Sequence, residues 1–348
     1  MRAARLVGVG GIGTGLVFAL EGDHDLGRNE SRMARRLDVR DYCKLHIVSH
    51  YPAVLLGARP VGVPFHVLPV GRVGQDAEGE RLRAEMTAAG MDTRFVQQVR
   101  SQPTLLSVCF QYPDGSGGNI TSSDSAAASL EAAELDSVAD FVDERTIALA
   151  VPEVPLPARR RLLELGRGRG AFRVASATSA ELRTDEGRSL LALADLASLN
   201  QDEAAALVGR PFVPADPATF FAGAAGLPTT LVVTAGASGA FGWDGREVRR
   251  VEALRVPVAS TAGGGDALLG GLVAGWAAGL PLFASSNAAL AERAVESALD
   301  LGVCLAAFAV ASPHTIPPNL GWAALRSFLA PLHVRFGSLL EALPGAAA

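Results

Sequence analysis

The segment Ser260-Thr261-Ala262-Gly263-Gly264-Gly265-Asp266, followed by Ala267-Leu268-Leu269-Gly270-Gly271-Leu272, carries the strongest chemical signal in the chain. A glycine run that opens a helix points several backbone N–H groups at one place, at the positive end of the helix dipole. Without Cβ atoms, that backbone can approach a phosphate closely. Asp266 then falls in the first helical turn, beside the anion cradle. A carboxylate there opposes anion binding, but it suits a general base that takes a proton from an attacking hydroxyl. The same residues also read as a plain loop whose aspartate is stabilised by the dipole.

Two further segments follow apolar runs that read as strands. Asn200-Gln201-Asp202-Glu203 comes directly after Ala197–Leu199. In a doubly wound sheet, ligands collect at the carboxyl ends of strands. Glu203 could there hold Mg²⁺ through water beside phosphates, since Mg²⁺ keeps several waters and few protein ligands. Asn200 and Glu203 also spell a helix capping box. Thr234-Ala235-Gly236-Ala237-Ser238-Gly239 suits either the phosphates or ribose of a nucleotide or an ordinary hairpin turn.

The elements that must position these residues alternate regularly. Arg5–Val9, His66–Val70, Ile147–Val151, Phe172–Ala175, Ala197–Leu199 and Leu231–Thr234 read as strands, and helical patterns follow the middle ones. Strands alternating with helices imply a parallel sheet covered on both faces. Asp76–Ala89 reads as a helix ending at Gly90. Thr104–Gln111 and Asn119–Ser122 read as strands around the turn Tyr112-Pro113-Asp114-Gly115, and 240–250 as a hairpin. Helices are expected over Gly264–Ala278 and Ala288–Ala311. The polar stretch Gly22–Tyr42 reads as irregular or partly helical, and the tail after Leu343 as frayed.

Composition narrows the function classes. The chain has 348 residues, 49% hydrophobic and 19% charged, which supports a large buried core. A net charge of −5 argues against a nucleic-acid partner. Lys44 is the sole lysine among 31 basic residues, so a lysine-dependent phosphate loop or Schiff base is excluded elsewhere. Cys43, Cys109 and Cys304 have no metal-ligand spacing and fit a reducing cytoplasm. Five glycines interrupt the uncharged run Leu6–Leu20, unlike a signal-peptide core. Leu301–Ala311 is too short to span a bilayer, so no membrane partner is expected.

In order, the three chemical segments resemble those of the ribokinase-like (PfkB-type) carbohydrate kinases, whose last motif reads approximately D-T-x-G-A-G-D. Val70-Gly71-Arg72-Val73-Gly74-Gln75-Asp76-Ala77-Glu78-Gly79 is similar to the family's G-x-D-x-x-G segment, and Gly90-Met91-Asp92-Thr93 to its G-V-D-T stretch. Pro103-Thr104 opens the strand that usually follows. The resemblance covers about Leu55 to Ala311. It implies a single ribokinase-like domain over 1–348: an α/β three-layer sandwich with a mostly parallel central sheet. A small β lid is expected from segments near 12–20 and 104–122. It implies an ATP- and Mg²⁺-dependent kinase acting on a hydroxyl of a sugar-like or nucleoside-like acceptor, and a homodimer through the lid. Asp266 would be the base, and the amides of Gly263, Gly264 and Gly265 the anion hole. Asn200 and Glu203 would belong to the Mg²⁺–phosphate network. Thr234, Gly236, Gly239 and Thr261 would line the ATP site, with the adenine pocket near Ala288–Ala311.

The departures fall mainly in the acceptor half. Ser260 stands where the family usually has an aspartate that helps bind a monovalent cation, so that cation is not carried over. The family's G-G-x-x-x-N motif is absent near Cys43–Val48, and Gly13-Thr14-Gly15 replaces the usual aspartate after the first strand. The acceptor is therefore not expected to be ribose, fructose phosphate or adenosine bound in the usual way. Asp23, Arg28, Asn29, Lys44 and His50 are the polar residues available to bind it, against the alternative of a solvated loop. His46 and His50 share i,i+4 spacing, but a zinc pair has no third ligand here. Gly8-Val9-Gly10-Gly11-Ile12-Gly13 matches the dinucleotide fingerprint and keeps an NAD(P) oxidoreductase as an alternative. A non-catalytic nucleotide- or sugar-binding protein on the same fold is the other.

Overall fold

The computed structural model describes residues 1–61, 63–114, 117–227 and 229–343. Gly115 of the expected turn and the tail after Leu343 lie outside them. In chain order the strands are β1 (Arg5–Val9), β2 (Gly13–Leu20), β3 (Ala34–Arg36), β4 (Asp41–Tyr42), β5 (His66–Gly74), β6 (Val96–Val99), β7 (Leu105–Gln111), β8 (Gly117–Thr121), β9 (Thr146–Ala150), β10 (Phe172–Ala175), β11 (Leu196–Asn200), β12 (Thr230–Thr234), β13 (Ala240–Trp243) and β14 (Val248–Val251). The helices used below are α1 (Lys44–Leu55), α2 (Ala77–Ala88), α3 (Leu156–Gly168), α4 (Ser179–Leu182), α5 (Asp185–Leu191), α6 (Gln201–Val208), α7 (Pro217–Gly223), α8 (Gly264–Ala278) and α9 (Ala298–Val310).

The large sheet has nine strands in the order β14-β13-β12-β11-β10-β9-β1-β5-β6. All pair in parallel except β13 and β14, which form the antiparallel edge. Strand side chains alternate between two cores, as a period of two requires. Leu6, Val67, Ile147, Leu149, Val174, Leu196 and Val232 face one core together with residues of α1, α2, α8 and α9. Val7, Val9, Leu68, Val70, Ala148, Ala150, Ala175, Leu199, Leu231 and Val233 face the other, with α3, α5, α6 and α7. The result is the three-layer α/β sandwich expected from the sequence. Helix α8 lies close on α9 because a Cβ at Gly271 would meet the backbone of Gly302 at 2.6 Å.

A second, five-stranded sheet is built from β2, β3, β4, β7 and β8. Strand β2 pairs in parallel with β7 and antiparallel with β3 and β4. The polar stretch before Tyr42 thus contains short strands, because β2 offers it a free edge. Asp76 ties the sheets together: its carboxylate caps α2 at the Gly79 N–H and accepts from the Thr104 N–H and hydroxyl at 2.8 and 2.6 Å. The last long helix starts at Ala298 rather than Ala288. Ser297 and Asp300 form a capping box there, with the Arg293 guanidinium paired to Asp300 at 2.6 Å.

The run Gly8–Gly13 passes from β1 into β2, not into a helix, so it presents no helix N-terminus to a pyrophosphate. Its glycines serve close packing instead. A Cβ on Gly10 would lie 2.3 Å from the Val151 side chain, and one on Gly13 would lie 2.4 Å from the Leu105 carbonyl. No helix of the described residues is long and apolar enough to cross a membrane.

Candidate active site

The chain enters α8 through Gly263, whose φ of +77° is left-handed. A Cβ there would also lie 2.9 Å from the Thr315 carbonyl, so angle and space both demand glycine. Asp266 follows in the first turn of α8. At the carboxyl edge of the large sheet, Asn200 and Thr234 are direct register partners on β11 and β12. The Thr234 hydroxyl faces Gly265, lying 4.0 Å from where a Cβ would stand. The three sequence segments thus converge.

They line one cavity of about 1180 Å³. Asn200, Thr234, Gly236, Gly239, Thr261, Gly263, Gly264, Gly265, Asp266 and Lys44 all border it. Its apolar wall comes from Val303, Ala306, Ala307 and Val310 of α9 and from Leu254, Val256 and Val258 of the segment before α8. Asn200 also realises the capping box: its Oδ1 accepts from the Glu203 N–H, and its own N–H donates to Glu203 Oε2, both at 2.8 Å. Cap and cavity wall are therefore one feature. Burial pushes the Glu203 pKa up, while the Lys44 charge pulls it down and the Asp266 charge pushes it up again. Glu203 thus shares the electrostatic environment of those two groups.

Lys44, the sole lysine, opens α1 and reaches Asp266, its Nζ donating to Oδ1 at 3.1 Å. The Asp266 charge raises the Lys44 pKa above the ordinary lysine value, against the effect of burial. Lysine is therefore held charged beside the carboxylate. The start of α1 is fixed by backbone bonds from Leu45 N–H to the Gly11 carbonyl and from Lys44 N–H to Glu153 Oε2.

Glu153 and Asp41 were not singled out from the sequence. Glu153 follows β9 with φ +76°, and burial pushes its pKa up to about 7 despite the opposing charge of Lys44. It stands at a strand's carboxyl end, so the rule that flagged Asn200 reaches it too. Asp41, on β4, is 9% exposed, and burial likewise raises its pKa. Its short strand gave no sequence signal.

The other polar residues lie apart. Asp23, Arg28 and Asn29 are exposed in the loop between β2 and β3, and none borders the cavity. That loop is organised by Glu30, which accepts from the Gly27 N–H at 2.8 Å and from Arg32 Nε at 2.5 Å. His50 lies on α1 against His46, with ring centroids 5.7 Å apart, and neither borders the cavity. Burial holds both imidazoles below the usual histidine range. Among the described residues, no group of three His, Cys, Asp or Glu side chains is placed to hold a metal ion. Ser260 uses its hydroxyl locally, accepting from the Ala262 N–H at 3.2 Å.

A covered parallel sheet whose carboxyl edge meets a glycine-opened helix and its aspartate is the architecture of a ribokinase-like phosphotransferase. The family model for pfkB family carbohydrate kinases matches residues 55–320, and the chain belongs to that family. It is a carbohydrate kinase, a phosphotransferase with an alcohol group as acceptor. No curated protein matches the chain. Among solved structures, it is similar to a ribokinase from Cryptococcus neoformans var. grubii serotype A in complex with ADP, at 20% identity and TM-score 0.72, covering 94% of this chain and 100% of that one. It is similar to a nucleoside kinase from Burkholderia thailandensis in complex with inosine, at 17% identity and TM-score 0.73, covering 95% and 99%. A ribokinase from Arabidopsis thaliana complexed with ribose and ATP aligns at 19% identity and TM-score 0.70, covering 94% and 99%. At these identities the likeness shows the fold.

Proposed function

We propose that the protein transfers the γ-phosphoryl group of ATP to a hydroxyl of a small sugar-like or nucleoside-like acceptor, with Asp266 as the general base. The observation that carries this reading is Asp266 beside the Gly263–Gly265 helix start, in a cavity that also takes in Asn200 and Thr234. Asp266 removes the proton of the acceptor hydroxyl. The freed oxygen bonds to the γ-phosphorus, the bond from that phosphorus to the β,γ-bridging oxygen breaks, and ADP leaves with the electron pair. The N–H groups of Gly263 and Gly265, and that of Gly264 once it leaves its 3.4 Å bond to the Thr261 carbonyl, would meet the charge that builds on the transferring group. Lys44 orients the Asp266 carboxylate and supplies a positive charge beside the phosphates.

Thr234, Gly236, Gly239 and Thr261 line the nucleotide's path, and the α9 wall suits an adenine ring. Mg²⁺ bound with the nucleotide supplies charge compensation on its phosphates. Glu203 does not itself border the cavity, but it caps Asn200, which does, and from there would be the ion's protein partner through water. The ADP- and ATP-bound neighbours support the choice of nucleotide. The second sheet acts as the lid over the acceptor. Its exposed Leu106 and Ile120, with Met33 just before β3, support a homodimer through that sheet. Three unpaired cysteines support a cytoplasmic setting.

The test is ADP release from Mg·ATP across sugars, sugar phosphates, nucleosides and cyclitols. A hit that disappears in Asp266→Asn supports the reading. ATP binding with no Asp266-dependent ADP release on any acceptor would make the chain a binding protein on this fold.

A further inference from the structure

We propose that Thr315, together with His314, is a positioning residue of this site: it clasps the strand that delivers Lys44 to the turn that delivers Asp266, and so sets how the two side chains meet. The inference rests on the kinase reading above and concerns a residue outside the cavity that acts through Lys44.

Lys44 and Asp266 come from distant parts of the chain, yet the site depends on their contact at 3.1 Å. Lys44 follows β4, a strand of only two residues, Asp41–Tyr42. The Cys43 and Leu45 N–H groups bond the Gly13 and Gly11 carbonyls, and the Lys44 N–H bonds Glu153. Those bonds fix the start of α1 to the β1–β2 turn and to the end of β9, not to α8. The link to α8 runs through the segment after α9. Thr315 is buried there. Its N–H donates to the Arg40 carbonyl at 3.2 Å, and its hydroxyl accepts from the Tyr42 N–H at 3.2 Å and donates to the Arg40 carbonyl at 3.4 Å. The Arg40 N–H in turn donates to His314 Nδ1 at 2.9 Å. Both polar backbone groups of Arg40 thus end on this segment. On its other side, Thr315 packs against the glycine turn: a Cβ on Gly263 would lie 2.9 Å from its carbonyl oxygen and 3.0 Å from its Cβ. The Ala259 and Ser260 N–H groups bond the Val310 carbonyl at 2.8 and 3.2 Å, so the run into the turn is fixed to the same segment.

Among the described residues, every hydrogen bond between residues 36–51 and 255–316 ends on His314 or Thr315, apart from the Lys44–Asp266 pair itself. Tyr51 of α1 also packs against Gly270 of α8, but apolar burial is non-directional, whereas a hydrogen bond fixes distance and angle. Removing the Thr315 hydroxyl takes the acceptor from the buried side of the Tyr42 N–H. The strand is then free to shift against α8, and Lys44, two residues further on, shifts with it.

Lys44 is the sole lysine, so amine acylation reads its surroundings at a single side chain. The Asp266 charge holds it in the protonated form, which acylates slowly. The experiment measures acylation of Lys44 by acetic anhydride, read by peptide mass spectrometry, and ADP release from Mg·ATP, in the wild type, Thr315→Val and Thr315→Ser. Thr315→Val keeps the shape and removes the hydroxyl, and Thr315→Ser keeps the hydroxyl. Thr315→Val should acylate Lys44 about fivefold faster and lower kcat about tenfold, and Thr315→Ser should match the wild type in both. In a Lys44→Met background, Thr315→Val should cost less than about twofold further in kcat, because the side chain it positions is gone. His314→Ala cuts the Arg40 N–H bond at a half-buried position and should act in the same direction. It serves if Thr315→Val does not fold. Acylation at the wild-type rate in Thr315→Val and His314→Ala, Thr315→Ser behaving as Thr315→Val, or an undiminished fall in kcat in the Lys44→Met background would overturn the proposal. Faster acylation in Thr315→Val without ADP release on any acceptor removes the kinase reading and leaves this proposal standing. Asp266-dependent ADP release with acylation unmoved does the reverse.

Discussion

Replacing Glu153 by Gln should stabilise the protein at neutral and alkaline pH and leave it nearly unchanged in acid. In the fold, burial holds the carboxyl proton up to about pH 7, whereas the ordinary value is 4.5. Between those two values the native state binds more protons than the unfolded chain. Wild-type stability therefore falls as pH rises through that window, and the full cost is present above pH 7. The gap is worth about 3 kcal/mol, at ~1.4 kcal/mol per pH unit. Glutamine keeps an oxygen to accept the Lys44 N–H that now bonds Oε2 at 3.0 Å, so the start of α1 keeps its anchor. With an unfolding entropy of ~2.1 cal/mol/K per residue over this chain length, the variant should melt about 4 °C above the wild type at pH 8. The two should melt together near pH 4.5. The assay is thermal and urea unfolding of both proteins from pH 4.5 to 8.5, read as a difference. A flat difference across that range, or one that shrinks as pH rises, would refute the reasoning that Glu153 is a costly half-buried acid.

Lys44→Met should lower kcat 10- to 100-fold and raise the KM for ATP, because the Nζ that holds Asp266 and faces the cavity is lost; steady-state kinetics check it, and an unchanged kcat contradicts the role given to Lys44. Gly263→Ala should cost about 1–2 kcal/mol in urea unfolding from its left-handed φ alone. It should also weaken AMP-PNP binding, since its Cβ would press on Thr315. Arg293→Ala should cost about 3–5 kcal/mol, because it leaves fully buried Asp300 without its paired guanidinium; urea unfolding reads the loss, and a cost below about 1 kcal/mol would remove the pair from the account.

Much of the large sheet was legible because β9 to β12 are short apolar runs bounded by glycine or polar residues. The α8 start was legible for a different reason: three glycines before an aspartate have few structural uses. Helix α1 was harder to see. It is buried almost all round, from Leu45 through Leu55, so its sequence shows no polar face, and Pro52 and three β-branched residues lie inside it. The small sheet hid its third and fourth strands because Ala34–Arg36 and Asp41–Tyr42 become strands only by pairing with β2. The dense polar run Asp23–Arg32 drew attention by composition, yet His24 and Arg32 turn to Glu30, Asp23, Asp25 and Arg28 are exposed, and none of the run borders the cavity.

The central claim is that Asp266 takes the acceptor proton at the α8 anion hole. It is tested most directly by measuring kcat and Mg·AMP-PNP affinity side by side in wild type and Asp266→Asn, on whichever acceptor releases ADP fastest. The expected result is a fall in kcat of about 10²–10⁴ with nucleotide affinity within about threefold. A variant that turns over at the wild-type rate would contradict the account.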